Sequence, residues 1–229
     1  MEIDRYVEDM ALKYGWVQHE VKQGASVLDV GCGQDQPLLY VLGARLNTVP
    51  DCYLGIDLNN ITRKSNVRWA EIWDNFDFVS NWETVLTKYT PFDFAVCLEC
   101  VEHMMPEDGV KLLKGLFGCL KPGGKLYLST PVFNGMAAAN HLHEYEIEEL
   151  NQIIHDVGFQ VVHRYGTFAS KPEIREAMRR AGRTHDHLAV YDELSEWFGG
   201  ELLACLMAPL YPNSSRNNLW VCRRPDAKT

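Results

Sequence analysis

No apolar run in these 229 residues approaches the roughly 20 residues needed to cross a bilayer as a helix. The opening stretch, MEIDRYVEDMALKYGW, lacks the basic start and apolar centre of a signal peptide. Positive charge is scarce: Lys and Arg total 22 against 31 Asp and Glu, a formal net charge of -9. That balance argues against a protein that coats nucleic-acid phosphates, although a local basic patch remains compatible with it. The seven cysteines are scattered and odd in number, which fits free thiols in a reducing cytoplasm better than a disulfide framework. Cys97 and Cys100 form a lone C-x-x-C with no second pair, so a thiolate zinc site is not expected. Repeats and low-complexity linkers are also missing. A cytoplasmic chain is expected, in which the Asn-Ser-Ser at Asn213 stays unglycosylated.

What the sequence does contain is ordinary globular material, 46% hydrophobic and 23% charged, enough for one large domain. Residues 3–22 carry Ile3, Val7, Met10, Ala11, Tyr14 and Val17 at helical spacing. Short apolar runs then alternate with helical segments. Strands are expected at 26–30, 52–57, 76–79, 92–98, 125–131 and 159–165. Helices are expected at 36–46, 82–89, 107–120 and 144–159, with Pro37 tolerated in a first turn. Such alternation implies an α/β domain with a mostly parallel sheet and helices on both faces. Residues 169–212 break the rhythm as a helical insertion or lid before a last strand at 217–224. The expected organisation is a single domain: an N-terminal helix (1–24), a core (25–168), the insertion (169–212), and a last strand and tail (213–229).

The stretch VLDVGCG (27–33) ends the first strand in two closely spaced glycines. Glycine permits a sharp turn and lets a ligand press on bare backbone. In a parallel sheet, this point opens on the crevice beyond the strand ends. A third glycine is missing, since Asp35 and Gln36 stand near that position, which weakens a dinucleotide fingerprint. Asp57 closes the second strand, where an acid can accept bonds from ribose hydroxyls. Glycines after strand one and an acid after strand two suit any adenosine-bearing cofactor, NAD included.

VLDVGCG, YLGIDL, FDFAVCLECVEHM, LKPGGKLYLSTP and HEYEIEELNQIIHDVGF follow one another in order. Together they resemble the class I S-adenosylmethionine-dependent methyltransferases over about residues 25–168. The resemblance implies a Rossmann-like seven-stranded sheet whose last strand runs antiparallel. It implies that Asp29, Gly31, Cys32 and Gly33 line the methionine part of the cofactor and that Asp57 holds the ribose. Leu58 would pack on the adenine, and the Leu98 carbonyl, with Glu99 beside it, would face the methionine amine. The adenine contact after strand three falls to Asp77, Asn81 or Trp82.

Glu99, Glu102 and His103 stand at i, i+3 and i+4, which share one face on a helical turn. They lie just past strand four. His141 and His143 follow strand five. Carboxylates and imidazoles converging there would suit Mg²⁺ or Mn²⁺, with Glu99, Glu102, His103 and His141 as the candidate ligands. The Glu-x-x-Glu-His stretch is similar to that of ubiquinone-pathway O-methyltransferases and of small-RNA 2′-O-methyltransferases; in the latter the pattern, with a later histidine, binds metal. A plainer reading leaves Glu102 and His103 shaping the loop. Between the two, His103 or His141 serves as general base, because imidazole titrates near neutrality.

Other signals are weaker. His185 and His187 read as a polar surface turn, and the basic run 174–183 reads as a solvated helix face. Trp197, Phe198, Met207 and Tyr211 either pack the insertion or line a pocket for a ring. The expected function is methyl transfer from S-adenosylmethionine to a hydroxyl or amine of a small molecule. Three alternatives remain open: a nucleic-acid methyltransferase acting at a ribose, a non-catalytic cofactor-binding module, and a nicotinamide-dependent oxidoreductase.

Overall fold

A computed structural model describes residues 5–44 and 49–226, with the side chains of the first helix from residue 12 onward. Ile3 therefore lies outside the described residues. The chain runs α1 (Arg5–Glu20), β1 (Ser26–Val30), α2 (Pro37–Gly43), β2 (Cys52–Ile56), β3 (Ala70–Trp73), α3 (Phe78–Lys88) and β4 (Phe92–Leu98). It continues through a single 3₁₀ turn (Val101–His103), α4 (Pro106–Cys119), β5 (Leu120–Pro131), α5 (Ile147–Val157) and β6 (Gln160–Phe168). Helices α6 (Lys171–Arg180), α7 (His185–Phe198) and α8 (Gly200–Met207) precede β7 (Asn217–Arg223). No helix among the described residues is long and apolar enough to cross a membrane.

The seven strands form one sheet in the order β3-β2-β1-β4-β5-β7-β6. β7 alone runs against its neighbours, pairing antiparallel with β5 and with β6. Alternation along each strand sends residues to two cores. Leu28, Val30, Leu54, Ala95 and Leu126 pack under α3, α4 and α5. Val27, Tyr53, Val96 and Tyr127 pack under α1 and α2. The sheet is thus covered on both faces, as continuous apolar strands require. Strand order reverses between β1 and β4. Chain crossovers leave in opposite directions there, so a crevice opens beyond the two strand ends.

Several boundaries differ from the sequence expectation: α2 ends at Gly43 and not at 46, α3 begins at Phe78 and not at 82, α5 begins at Ile147 and not at 144, and β6 runs on to Phe168 past 165. The third strand is Ala70–Trp73, not 76–79, and Phe78 begins a helix. Asp77 decides this, because its side chain accepts the amide of Ser80 and caps α3. The fifth strand begins at Leu120, and residues 121–124 bulge out between the pairings Phe92–Leu120 and Phe94–Lys125. Helices α6 to α8 and their flanking residues build a small core of their own from Ala169, Ile174, Met178, Tyr191, Ala204 and Ala208. Met207 and Tyr211 pack on that core, whereas Trp197 and Phe198 are exposed. Gly166 in β6 allows the close approach, since a Cβ there would meet the Ala208 carbonyl oxygen at 2.4 Å. His185 and His187 form the first turn of α7, capped by Thr184, and are not a free-standing turn.

Candidate cofactor crevice and its rim

The crevice at the strand reversal has a volume of about 880 Å³, within the range of small-molecule sites. Gly31, Cys32 and Gly33 line it from β1, Asp57 and Leu58 from β2, and Leu98 and Glu99 from β4. Gly31 and Gly33 hold φ of 80° and 72°, in the left-handed region where a side chain is costly. At Gly31 space is limiting as well. A Cβ there would sit 2.8 Å from Cys100 Sγ. The amides of Gly31 and Cys32 both donate to the Ile56 carbonyl, at 2.8 and 3.1 Å, which pins the turn to the end of β2. Gln36, near the missing third glycine, itself adopts φ 43°.

Asp57 is held in place by three hydrogen bonds and keeps acceptor capacity toward the crevice. Its Oδ2 accepts the Gly33 amide at 3.0 Å, and its Oδ1 accepts the Asn59 amide at 2.8 Å and Asn59 Nδ2 at 3.1 Å. Leu58 is 68% exposed beside it, an apolar face turned toward the crevice mouth. Asp29 does not reach the lining. It is buried behind the wall, where Tyr53 Oη donates to its Oδ2 at 2.5 Å. Burial pushes its carboxyl up to about 7, against the Tyr53 hydrogen bond, and the Asp57 charge adds to the rise.

The region after β3 corrects two expected contacts. Asn81 turns its amide back to the Asp77 carbonyl. Trp82 packs on α4, filling space left by Gly115 and Gly118, where a Cβ would stand 2.9 and 2.5 Å from its ring. Neither lines the crevice. Phe76, Asp77, Phe78 and Val79 do, because the cap places the loop before α3, not its second turn, at the strand ends. Hydrogen bonds from Ser80 hold the Asp77 carboxyl below its ordinary range.

At the rim, Glu102, His103 and His141 bring one ligand atom each to within 4.8 Å of one another. The two rings meet edge to face with centroids 5.0 Å apart. His103 Nδ1 lies 3.0 Å from the Asn140 carbonyl oxygen, which accepts its proton and leaves Nε2 as a lone-pair donor. His141 Nδ1 lies 2.6 Å from Glu144 Oε1, so its Nε2 is the other open nitrogen. Metal-binding imidazoles are oriented by such outer partners. The amides of Leu142 and His143 donate to the Glu102 carbonyl, at 2.8 and 3.2 Å, tying the histidine loop to the 3₁₀ turn. Glu102 is 1% exposed and accepts from Thr130 Oγ1 at 3.1 Å. Burial, reinforced by the charge of Glu99, pushes its carboxyl up to about 8.

Glu99 does not join this group. Its φ of 50° turns it out of the helical turn that begins after Cys100, so the expected shared face with Glu102 and His103 does not form. Its carboxylate instead pairs with Lys13 Nζ at 2.5 Å. His143 is also separate, its Nε2 lying 2.8 Å from Glu149. Cys97 is buried in β4. Sequence reasoning missed Lys13 and Tyr14 on α1. Tyr14 lines the crevice, but nothing near it in sequence marks that role. Three arginines of the basic run 174–183 make ion pairs: Arg179 and Arg180 share Glu176, and Arg175 pairs with Asp192 on α7.

Residues 4–164 match the family model described as a methyltransferase domain. Over 161 residues the chain is 28% identical to the ubiquinone biosynthesis O-methyltransferase of Xanthomonas axonopodis pv. citri. That alignment covers 69% of this chain and 62% of the relative, so the chain matches less than two thirds of the relative's length. The fold is similar to that of a SAM-dependent methyltransferase from Archaeoglobus fulgidus, with TM-score 0.60 and 16% identity over 96% of this chain and 94% of that one. It is similar also to the Burkholderia thailandensis 1,6-didemethyltoxoflavin-N1-methyltransferase, solved with its acceptor and S-adenosylhomocysteine. There the TM-score is 0.61 at 17% identity, covering 97% of this chain and 82% of that one.

Proposed function

The chain belongs to the class I S-adenosylmethionine-dependent methyltransferases, and from that membership we propose that it methylates a hydroxyl or amine on a small molecule. The observation that carries this reading is that His103 lines the same crevice as Gly31, Gly33 and Asp57. One continuous cavity thus joins a nucleoside-type cradle to a proton acceptor. The relatives support a small-molecule acceptor, since one is named for ubiquinone biosynthesis and one for a didemethyltoxoflavin.

In this reading Asp57 accepts the ribose hydroxyls, and Leu58 covers one face of the adenine. Asp77 replaces Asn81 and Trp82 as the polar group at the adenine edge. Gly31, Cys32 and Gly33 give backbone room to the methionine moiety, with the Leu98 carbonyl at its amine. When bound, the cofactor supplies an electrophilic methyl carbon on a sulfonium, open to in-line displacement. His103 Nε2 would take the proton of an acceptor hydroxyl placed beside it. Asn140 holds the ring in the required tautomer.

A second role for the rim rests on the grouping of Glu102, His103 and His141. One carboxylate oxygen and two oriented imidazole nitrogens form a donor set that fits Mg²⁺ or Mn²⁺. A cation held there would lower the pKa of an acceptor hydroxyl. His103 Nε2 cannot be ligand and base at once, so the two roles exclude each other. Ribose methylation of nucleic acid is disfavoured by the net charge of -9.

The test is transfer of labelled methyl to a panel of phenols, alcohols and amines, run with and without chelator. Labelled product from the panel is expected, with His103→Ala lowering kcat by about 10²–10⁴ if it acts as base. Labelling of oligonucleotides but no small acceptor would reject the proposal. Activity that persists in excess chelator selects the base over the cation.

A further inference from the structure

The end of β4 is gripped by side chains from three distant parts of the chain. Glu99 holds the left-handed conformation, φ 50°, which disfavours any residue with a Cβ. Its carboxylate Oε1 accepts Lys13 Nζ at 2.5 Å and Ser129 Oγ at 2.8 Å, and its Oε2 accepts Asn217 Nδ2 at 2.7 Å. Lys13 lies on α1, Ser129 in β5 and Asn217 at the start of β7. Lys13 is 0% exposed, a position an ammonium keeps only when it is paired.

Other contacts also anchor α1. Val17 and Val21 are buried in the core. Trp16 stacks on Tyr165 with centroids 4.5 Å apart, and Glu20 pairs with Lys125 at 2.5 Å. The charged grip sits where the chain must turn sharply. Directly after Glu99, Cys100 packs on Gly31, and the 3₁₀ turn aims Glu102 and His103 at the rim. The backbone conformation at Glu99 therefore sets both the crevice floor and its reactive edge.

We infer that Lys13 is a positioning residue: through the Glu99 carboxylate, and together with Ser129 and Asn217, it holds the β4 turn in the shape the crevice needs to bind its cofactor. The N-terminal helix is thereby a working part of that site. This rests on the crevice being where S-adenosylmethionine and its product bind.

Calorimetric titration with S-adenosylhomocysteine tests it, with melting temperatures recorded in parallel. Lys13→Met weakens binding at least tenfold, and Asn217→Ala weakens it several-fold. Glu20→Gln breaks the other ion pair of α1 and leaves binding unchanged. The decisive comparison is between two double variants. In the Lys13→Met background, Glu99→Gly recovers more affinity than Glu99→Ala, because glycine adopts φ near 50° freely whereas alanine does not. A role confined to charge balance or helix anchoring would make those doubles equal, and equality overturns the inference. So does Lys13→Met binding within twofold of wild type. If Lys13→Met does not fold, Asn217→Ala decides, and unchanged affinity there overturns the inference. Failure of the wild-type chain to bind S-adenosylhomocysteine is seen before any variant is made. It overturns the underlying reading of the crevice instead.

Discussion

The amide of Gly33 donates to Asp57 Oδ2 at 3.0 Å, so the glycine turn after β1 and the acid that ends β2 are one hydrogen-bonded unit. Asp57 is 9% exposed and faces the crevice. Its orientation is therefore set before any ligand arrives, a geometry that favours binding by reducing the ordering cost. Asp57→Ala removes a charged acceptor, and hydrogen bonds to charged groups contribute roughly 1.5–3 kcal/mol each. Affinity for S-adenosylhomocysteine is expected to fall by at least about tenfold. Titration calorimetry checks this, and an unchanged Kd would mean the ribose is held elsewhere.

The two glycines are predicted to fail differently. Both Gly31 and Gly33 have positive φ, so alanine strains either backbone by roughly 1–2 kcal/mol. Gly31→Ala additionally drives its Cβ to 2.8 Å from Cys100 Sγ, whereas a Cβ at Gly33 meets nothing within 4 Å. Gly31→Ala therefore lowers the melting temperature more than Gly33→Ala, and Cys100→Ala partly restores the former only. Equal losses in thermal denaturation would show that the Cys100 contact relaxes without cost.

Much of this architecture is readable from apolar runs alone. SVLDV, CYLGI and FDFAVCL are short, buried and bounded by polar turns, and each becomes a strand of the parallel sheet. β3 is not readable in the same way. AEIW is four residues long at the sheet edge, and only Ile72 in it is buried. FDFV looks more strand-like, yet one hydrogen bond from the Ser80 amide to the Asp77 carboxylate turns it into a helix start. At the site, the glycine turn and Asp57 are legible because backbone room and an acid at strand ends have a local signature. Glu99 is not, because glutamate carries no preference for left-handed backbone. Its partner Lys13 is 86 residues away, and only tertiary packing brings the two together. His141, the candidate ligand from sequence, is set apart from His143 in the fold by their partners, Glu144 for the first and Glu149 for the second.

Asp29 gives the stability of the fold a pH dependence whose sign follows from its burial. Its carboxyl titrates at about 7 in the fold against an ordinary value of 3.8, mainly because burial penalises the charge. Between those values the folded chain holds a proton that the unfolded chain has released. Its contribution to stability is therefore lost as pH rises from about 4 through about 7. Asp29→Asn stays neutral throughout and keeps an oxygen to accept Tyr53 Oη. The variant melts several degrees above wild type at pH 8, at roughly 2–4 °C per kcal/mol for a chain of this size. The gap closes toward pH 4. A gap independent of pH would assign the effect to packing and not to charge.

The rim makes the sharpest prediction about metal. Glu102, His103 and His141 converge, while Glu99 is occupied by Lys13, Ser129 and Asn217. Titration with Mn²⁺, followed by the loss of its free paramagnetic signal, should show one site in the wild-type chain. Glu102→Gln or His141→Ala abolishes that site, because each removes a ligand from a set of three. Glu144→Gln leaves all three ligands but loosens the ring of His141, and such outer partners typically contribute about 10–100-fold in metal affinity. Glu99→Gln removes no ligand, so it keeps the site and weakens it less than Glu102→Gln does, acting only through the turn that Glu99 holds. Loss of Mn²⁺ from Glu99→Gln with retention by Glu102→Gln would invert this assignment. No binding by the wild type would leave His103 to act as a base without a cation.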